Sequence, residues 1–278
     1  MLVDTHSHTT FSFDGQQTPR ELIEAARQAG LDGICVTDHY EKDIFSTEGK
    51  ESTFPLDAYF QEMLPLRREH QAAPFFLVGV ELSYLPHLRD FFRDFVRQYP
   101  FDAVIMSLHV VDGVDPYYDP SLFNRNKKKA YGHALGLMLE MIRTCPDFDI
   151  VGHFDYFSRY VSGTDRKMTW FDLADEIDSL FRAVIETGKA LEINTRTVAK
   201  MQAAGLTGAD AWPDPAIIRR YLELGGTLIS LGSDAHKNSE PGSLLPDAAA
   251  WLESLGCRWL TYFKDRQAIV TPIDQNAR

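Results

Sequence analysis

The sequence predicts an α/β protein whose parallel sheet closes, or nearly closes, into a barrel. Three observations carry that expectation. Short β-rich runs alternate with longer helical periods about seven times along the 278 residues, the pattern of repeated strand–helix–strand units. No Pro/Gly/Ser-rich linker, internal repeat or low-complexity tract divides the chain. Since α/β barrels of ~250 residues are routinely one domain, residues 1–278 read as a single unit. Finally, histidines and carboxylates stand at the same end of nearly every predicted strand, whereas an open doubly wound sheet gathers its ligand at one switch point.

Taken in order, residues 2–5 form an apolar run that leads into His6-Ser7-His8. Thr18-Pro19-Arg20-Glu21 is a capping box with Pro at the first helical position. Leu22, Ile23, Ala26 and Ala29 supply the apolar stripe of that helix and Gly30 its stop. Residues 33–37 are a buried strand running into Asp38-His39, and 57–71 a helix. Residues 75–81 are a strand ending in Glu81. Phe91, Phe92, Phe95 and Val96 make 88–98 an amphipathic helix. Residues 102–108 are a strand into His109, 127–144 a helix through Leu135, Leu139 and Ile142, and 150–152 a short strand into His153. A strongly periodic helix spans 170–187. Residues 191–194 are a strand, followed by Arg196 rather than a metal ligand. A helix over 215–224 precedes a strand over 227–232 that enters Ser233-Asp234-Ala235-His236. A helix near 244–254 and a weak strand near 258–262 complete the chain. Two segments, 40–56 and 110–126, break the rhythm as polar or aromatic loops at the ligand end, where a barrel builds its substrate pocket.

The formal net charge of −12 argues against a nucleic-acid partner, because phosphate backbones are bound chiefly through Lys and Arg. Cys35, Cys145 and Cys257 are odd in number and widely spaced, which reads as free thiols in a reducing compartment. No signal peptide is visible and no apolar stretch approaches the ~18 residues of a membrane span, so the expectation is a cytoplasmic protein.

His6-x-His8 turns two imidazoles to one face of an extended segment, so that both reach one ion. Asp234-x-His236 repeats the spacing. Glu81 ends an apolar strand, where an unpaired carboxylate is costly and a cation partner attractive. Asp38 is better placed to orient a ligand histidine than to bind metal itself. Asp14, His39, His109 and His153 complete the set. His70, His87 and His133 fall in helical patterns or a turn and are left out. The mixed nitrogen and oxygen donors suit Zn, Mn or Fe.

His6-Ser7-His8, Asp14-Gly15, Thr37-Asp38-His39, Gly79-Val80-Glu81, Ser107-Leu108-His109, Gly152-His153 and Ser233-Asp234-Ala235-His236 together resemble the polymerase and histidinol phosphatase (PHP) family, in motif order and over nearly the whole chain. The resemblance implies a distorted (β/α)7 TIM-like barrel with two to three divalent ions in a cleft at the C-terminal ends of the strands. It implies a first metal on His6, His8, Glu81 and Asp234, and a second on Glu81, His109 and His153, with Glu81 bridging. A third would take Asp14, His39 and His236. An aspartate at position 14, where many relatives have histidine, looks like the histidinol-phosphate phosphatase branch. So do Gly152-His153-Phe154-Asp155, Arg159 and Glu192-Ile193-Asn194-Thr195-Arg196. That branch's phosphate-binding arginines would map onto Arg159 and Arg196.

The chemistry so implied is phosphomonoester hydrolysis of L-histidinol phosphate, in histidine biosynthesis. The nucleophile is a hydroxide shared by two ions, and two arginine forks neutralise the phosphate dianion. Asp155 is a candidate general acid for the leaving alkoxide. Asp112, Asp115 and Asp119 are candidates for an acidic lip that receives the substrate's ammonium and imidazole. Other small phosphate esters or nucleotides remain alternative substrates. An amidohydrolase-type C–N hydrolase is a further alternative, although no lysine stands at a strand end where such enzymes commonly carry a bridging one. The sequence leaves metal identity and oligomeric state open.

Overall fold

The computed structural model describes residues 1–45, 49 and 51–273; the tip of the 40–56 segment and positions 274–278 lie outside the described residues. The strands are β1 (Val3–Asp4), β2 (Gly33–Val36), β3 (His39–Phe45), β4 (Glu51–Ser52), β5 (Phe75–Ser83), β6 (Ala103–Ser107), β7 (Ile150–Val151), β8 (Ala190–Asn194), β9 (Ile229–Gly232), β10 (Trp259–Lys264) and β11 (Gln267–Pro272). Seven of them pair in parallel in the order β1-β2-β5-β6-β7-β8-β9. A single parallel bridge, Ser7↔Ala235, and the flanking bonds Thr5 N–H to Leu231 and Asp234 N–H to His6 bring the last strand back to the first. The result is a nearly closed seven-stranded barrel, as the sequence predicts.

Alternation along each strand sorts the side chains. Phe76, Val78 and Val80 face the helices in the large outer core, whereas Leu77, with Cys35, Ala103, Ile105, Ile150 and Ala190, fills the barrel interior. By the same parity Glu81 and Glu192 point inward, one layer nearer the C-terminal mouth.

Helices cover the outside: α1 (Pro19–Gln28), α2 (Leu56–Glu69), α3 (Arg89–Gln98), α4 (Ser121–Arg125), α5 (Lys127–Thr144), α6 (Ala174–Glu186), α7 (Thr195–Ala203), α8 (Pro215–Glu223) and α9 (Leu245–Ser254). The capping box of α1 is present, Thr18 and Glu21 each answering the other's backbone N–H. No helix among the described residues is long and apolar enough to cross a membrane.

Several elements differ from the sequence expectation. The 40–56 segment is not only loop: β3 pairs with β5 at His39↔Glu81 and with β4 on its other side. Its anchor is Tyr40, whose ring meets Phe54, Phe91 and Phe95. Helix α4 lies inside the 110–126 loop, and α7 follows β8 directly. The 170–187 helix starts at Ala174, because residues 170–173 form a turn tied through the Trp170 N–H to Asp214. Strand β11 completes an antiparallel hairpin with β10. Its turn residues Asp265 and Arg266 both have positive φ, a conformation that sequence normally signals with Asn-Gly or Asp-Gly.

This hairpin covers the N-terminal mouth, where Phe263 enters the interior cluster. Three aspartates clip the same end. Asp32, Asp102 and Asp149 each precede a strand and each accept the backbone N–H of Leu2, Val78 and Val104, respectively, on the neighbouring strand.

Candidate metal centre and active-site cleft

The C-terminal mouth gathers His6, His8, His39, Glu81, His109, His153, Asp234 and His236, all buried. Each follows or ends a strand of the sheet, so closure of the barrel alone brings them together.

Glu81 is fully buried at the centre. Its Oε2 lies 3.1 Å from His6 Nε2 and 3.6 Å from His8 Nε2. Its Oε1 lies 2.9 Å from His153 Nε2 and 3.3 Å from His109 Nε2. Asp234 Oδ1 stands 3.4 Å from His8 Nε2. A third group forms where His236 Nε2 approaches Asp14 Oδ2 at 3.0 Å and His39 Nε2 approaches Asp14 Oδ1 at 3.9 Å. His8 stacks between the rings of His39 and His236, 4.2 Å from each. The groups are not isolated, since His39 Nδ1 also lies 2.9 Å from Glu81 Oε2. Asp234 holds a positive φ of 53°, a strained backbone of the kind that functional sites retain.

The residues fit divalent cations on the evidence of their unmet polar atoms. Among the described residues, nine buried side-chain nitrogens and oxygens have no hydrogen-bond partner, and six belong to this site: His6 Nε2, His8 Nε2, Asp14 Oδ1, His39 Nδ1, Glu81 Oε2 and His153 Nδ1. Buried polar atoms are ordinarily satisfied. Imidazole and carboxylate lone pairs facing each other at about 3 Å repel unless a proton or a metal cation lies between them.

Further groups fix the rings from behind. Glu192 Oε1 lies 2.7 Å from His6 Nδ1 and its Oε2 accepts the His153 backbone N–H at 2.5 Å. Glu41 Oε1 lies 2.8 Å from His109 Nδ1, with the Ser83 hydroxyl donating to the same oxygen. Asp38 accepts from Ser12, whose Oγ stands 3.2 Å from His8 Nδ1; the expected orienting role of Asp38 thus runs through a serine. A carboxylate behind Nδ1 selects the tautomer that leaves Nε2 free for metal. Burial raises the pKa of Glu81, but His6, His39 and His109 overcome it and hold the group well below the usual carboxylate range. Burial likewise raises Asp234, and Arg159 and His6 hold it well below. Burial, with His39 and His236 nearby, pushes His8 well down, favouring the neutral ring.

Asp14, His39, His109, His153, Asp234 and His236 open onto a cleft of about 880 Å³ that Arg159, Arg196, Asp115 and Asp119 also line. Arg159 is no surface charge: its guanidinium is buried and donates to Thr197 Oγ1, Asp234 Oδ2 and Asn194 Oδ1. Arg196 sits in the first turn of α7 and donates to the Asp234 carbonyl and to Glu240. Two of the expected site residues do not line the cleft. Asp155 lies not on the cleft but against a small cavity bounded by Met168 and Trp212, its carboxylate accepting from Thr197; burial pushes its pKa up to about 6, against Arg159. Asp112 has left-handed φ and turns outward to pair with His133 at 2.9 Å. Asp115 accepts from Tyr156, and Asp119 from the Ser121 N–H.

Glu192 and Glu41 carry no assignment from the sequence. The parity Ala190-x-Glu192-x-Asn194 was the available signal for Glu192, since alternate residues of an inner strand face the barrel interior. Glu41 had none, because its strand reads as loop.

Residues 4–196 match the PHP domain family. The chain is similar to the probable histidinol-phosphatase of Clostridium acetobutylicum, 30% identical over 254 residues, with 91% of this chain and 94% of that protein covered. It is 28% identical to the histidinol-phosphatase of Lactococcus lactis over 84% of each chain. Among solved structures, the histidinol phosphate phosphatase of L. lactis, complexed with zinc, L-histidinol and phosphate, superposes with a TM-score of 0.84 and 25% identity, covering 96% of this chain and 98% of that one.

Proposed function

We propose, from the premise that this chain belongs to the PHP domain family, that it is a metal-dependent phosphomonoester hydrolase acting on L-histidinol phosphate. The observation that carries this reading is Glu81, whose Oε1 faces the imidazoles of His109 and His153 while its Oε2 faces those of His6, His8 and His39. The substrate is supported by relatives named probable histidinol-phosphatase and histidinol-phosphatase, each matched over most of its length.

In this reading His6, His8, Glu81 and Asp234 hold one divalent ion, Glu81, His109 and His153 a second, and Asp14, His39 and His236 a third. Zinc is supported by the L. lactis enzyme, and manganese and iron suit the same donors. Bound divalent ions acidify water to a pKa of ~7 and offset phosphate charge. Arg159 and Arg196 bind and orient the phosphoryl oxygens as planar donor forks. The donors that Arg159 spends on Asp234, Asn194 and Thr197 fix its plane, and rigid donors stabilise developing charge at no reorganisation cost. Across the cleft, Asp115 and Asp119 suit the ammonium and imidazole of histidinol. Asp155 lines a separate small cavity and not the cleft, so it is assigned no part in protonating the leaving group.

Purified protein assayed with L-histidinol phosphate, O-phosphoserine, phosphoethanolamine and a nucleoside monophosphate tests the reading. L-Histidinol phosphate is expected to give the highest kcat/KM. A higher value for any of the others overturns the substrate, and no phosphate release from any of them at full metal occupancy overturns the reaction.

A further inference from the structure

We infer that Glu192 is a positioning residue that couples the first two metal groups, one carboxylate fixing a ligand of each. The inference rests on the metal reading above and extends it to a residue that neither touches the cleft nor binds an ion.

Glu192 is fully buried. Its Oε1 meets His6 Nδ1 at 2.7 Å, so His6 presents Nε2 to Glu81 Oε2 at 3.1 Å. Its Oε2 takes the His153 N–H at 2.5 Å, at the point where β7 ends and the His153 ring turns its Nε2 to Glu81 Oε1 at 2.9 Å. His6 belongs to the first group and His153 to the second. Glu41, by contrast, is hydrogen-bonded to His109 at 2.8 Å and stands 3.7 Å from His39 Nδ1, beyond hydrogen-bond distance.

A second observation is independent of these bonds. A Cβ at position 232 would fall 2.2 Å from Glu192 Oε1 and 2.5 Å from the His6 Cβ. The φ of Gly232 lies outside the left-handed region, so the backbone does not demand glycine there. What demands it is the space taken up by the Glu192 carboxylate and the His6 side chain, which meet there. Partners behind metal ligands typically contribute 10–100-fold to affinity, and a partner shared by two groups should weaken both when lost.

The test is competition between a chromophoric chelator and the full-length protein loaded with zinc, on wild type, Glu192→Gln, Gly232→Ala and Asp102→Asn. Asp102 is a fully buried carboxylate at the opposite mouth and serves as the control for general loosening. Glu192→Gln and Gly232→Ala should release zinc at a midpoint at least about 10-fold lower in chelator, with two ions per chain in the shifted transition. Excess zinc should restore part of the lost kcat/KM. Asp102→Asn should melt earlier with an unchanged midpoint. If Glu192→Gln does not fold, Glu192→Asp carries the test, since it keeps the charge but draws the carboxylate back from His6 and the His153 N–H. A wild-type midpoint in the variants overturns the inference alone, as does an equal shift in Asp102→Asn. Wild-type protein that retains no zinc overturns the metal reading together with it.

Discussion

At the N-terminal mouth of the barrel, Asp102 is buried and both of its oxygens are answered by protein donors; at the C-terminal mouth, Glu81 is buried as deeply and one of its oxygens is not. Asp102 accepts from the Val78 and Asp265 N–H groups and from Arg67. Asp149 accepts from the Val104 N–H and from Arg266. Glu81 accepts from Ser107 on one oxygen, while its other oxygen faces imidazole nitrogens without forming a hydrogen bond. Burial depth therefore does not separate a structural carboxylate from a functional one. What separates them is whether the surrounding protein completes the donor set.

The contrast can be broken from either end. The largest effect is expected at Glu81: Glu81→Gln should lower kcat/KM by on the order of 10³-fold or more, because it would remove a bridge between two ions. It should also lose at least one metal by elemental analysis, and unchanged activity would refute the bridging role. Next comes Arg196→Ala, expected to cost on the order of 10²-fold in kcat/KM at unchanged metal content; lost metal instead would make Arg196 part of the scaffold. Smallest in catalysis is Asp149→Asn at the other mouth. It should cost about 1–3 kcal/mol of stability, as for hydrogen bonds to a charged partner, read by denaturant unfolding. Its kcat/KM should stay at the wild-type value below the melting range, and a drop there would mean that the two mouths are coupled.

Much of this was legible in the sequence because a barrel converts order along the chain into a ring of strand ends. His6, His8, Glu81, His109, His153, Asp234 and His236 needed only strand assignments to be placed at one mouth. The clipping aspartates were present as Leu31-Asp32-Gly33-Ile34, Phe101-Asp102-Ala103-Val104 and Phe148-Asp149-Ile150-Val151, and they carried no chemical signature, since their partners are backbone N–H groups and arginines distant in sequence. Glu41 and β3 were hidden because a strand held by three aromatic contacts with Tyr40 has no period of its own. The positions of Asp155 and Asp112 depended on local backbone turns that residue type does not encode, a left-handed φ in the case of Asp112.

The central claim is that the unanswered donor set at the C-terminal mouth exists to hold metal for phosphoester hydrolysis. Elemental analysis of the purified protein, paired with phosphate release from L-histidinol phosphate before chelation, after it and after zinc is restored, tests this most directly. Two to three ions per chain are expected, with hydrolysis that stops when they are removed and recovers when zinc returns. Full-rate hydrolysis by protein stripped of metal would contradict it.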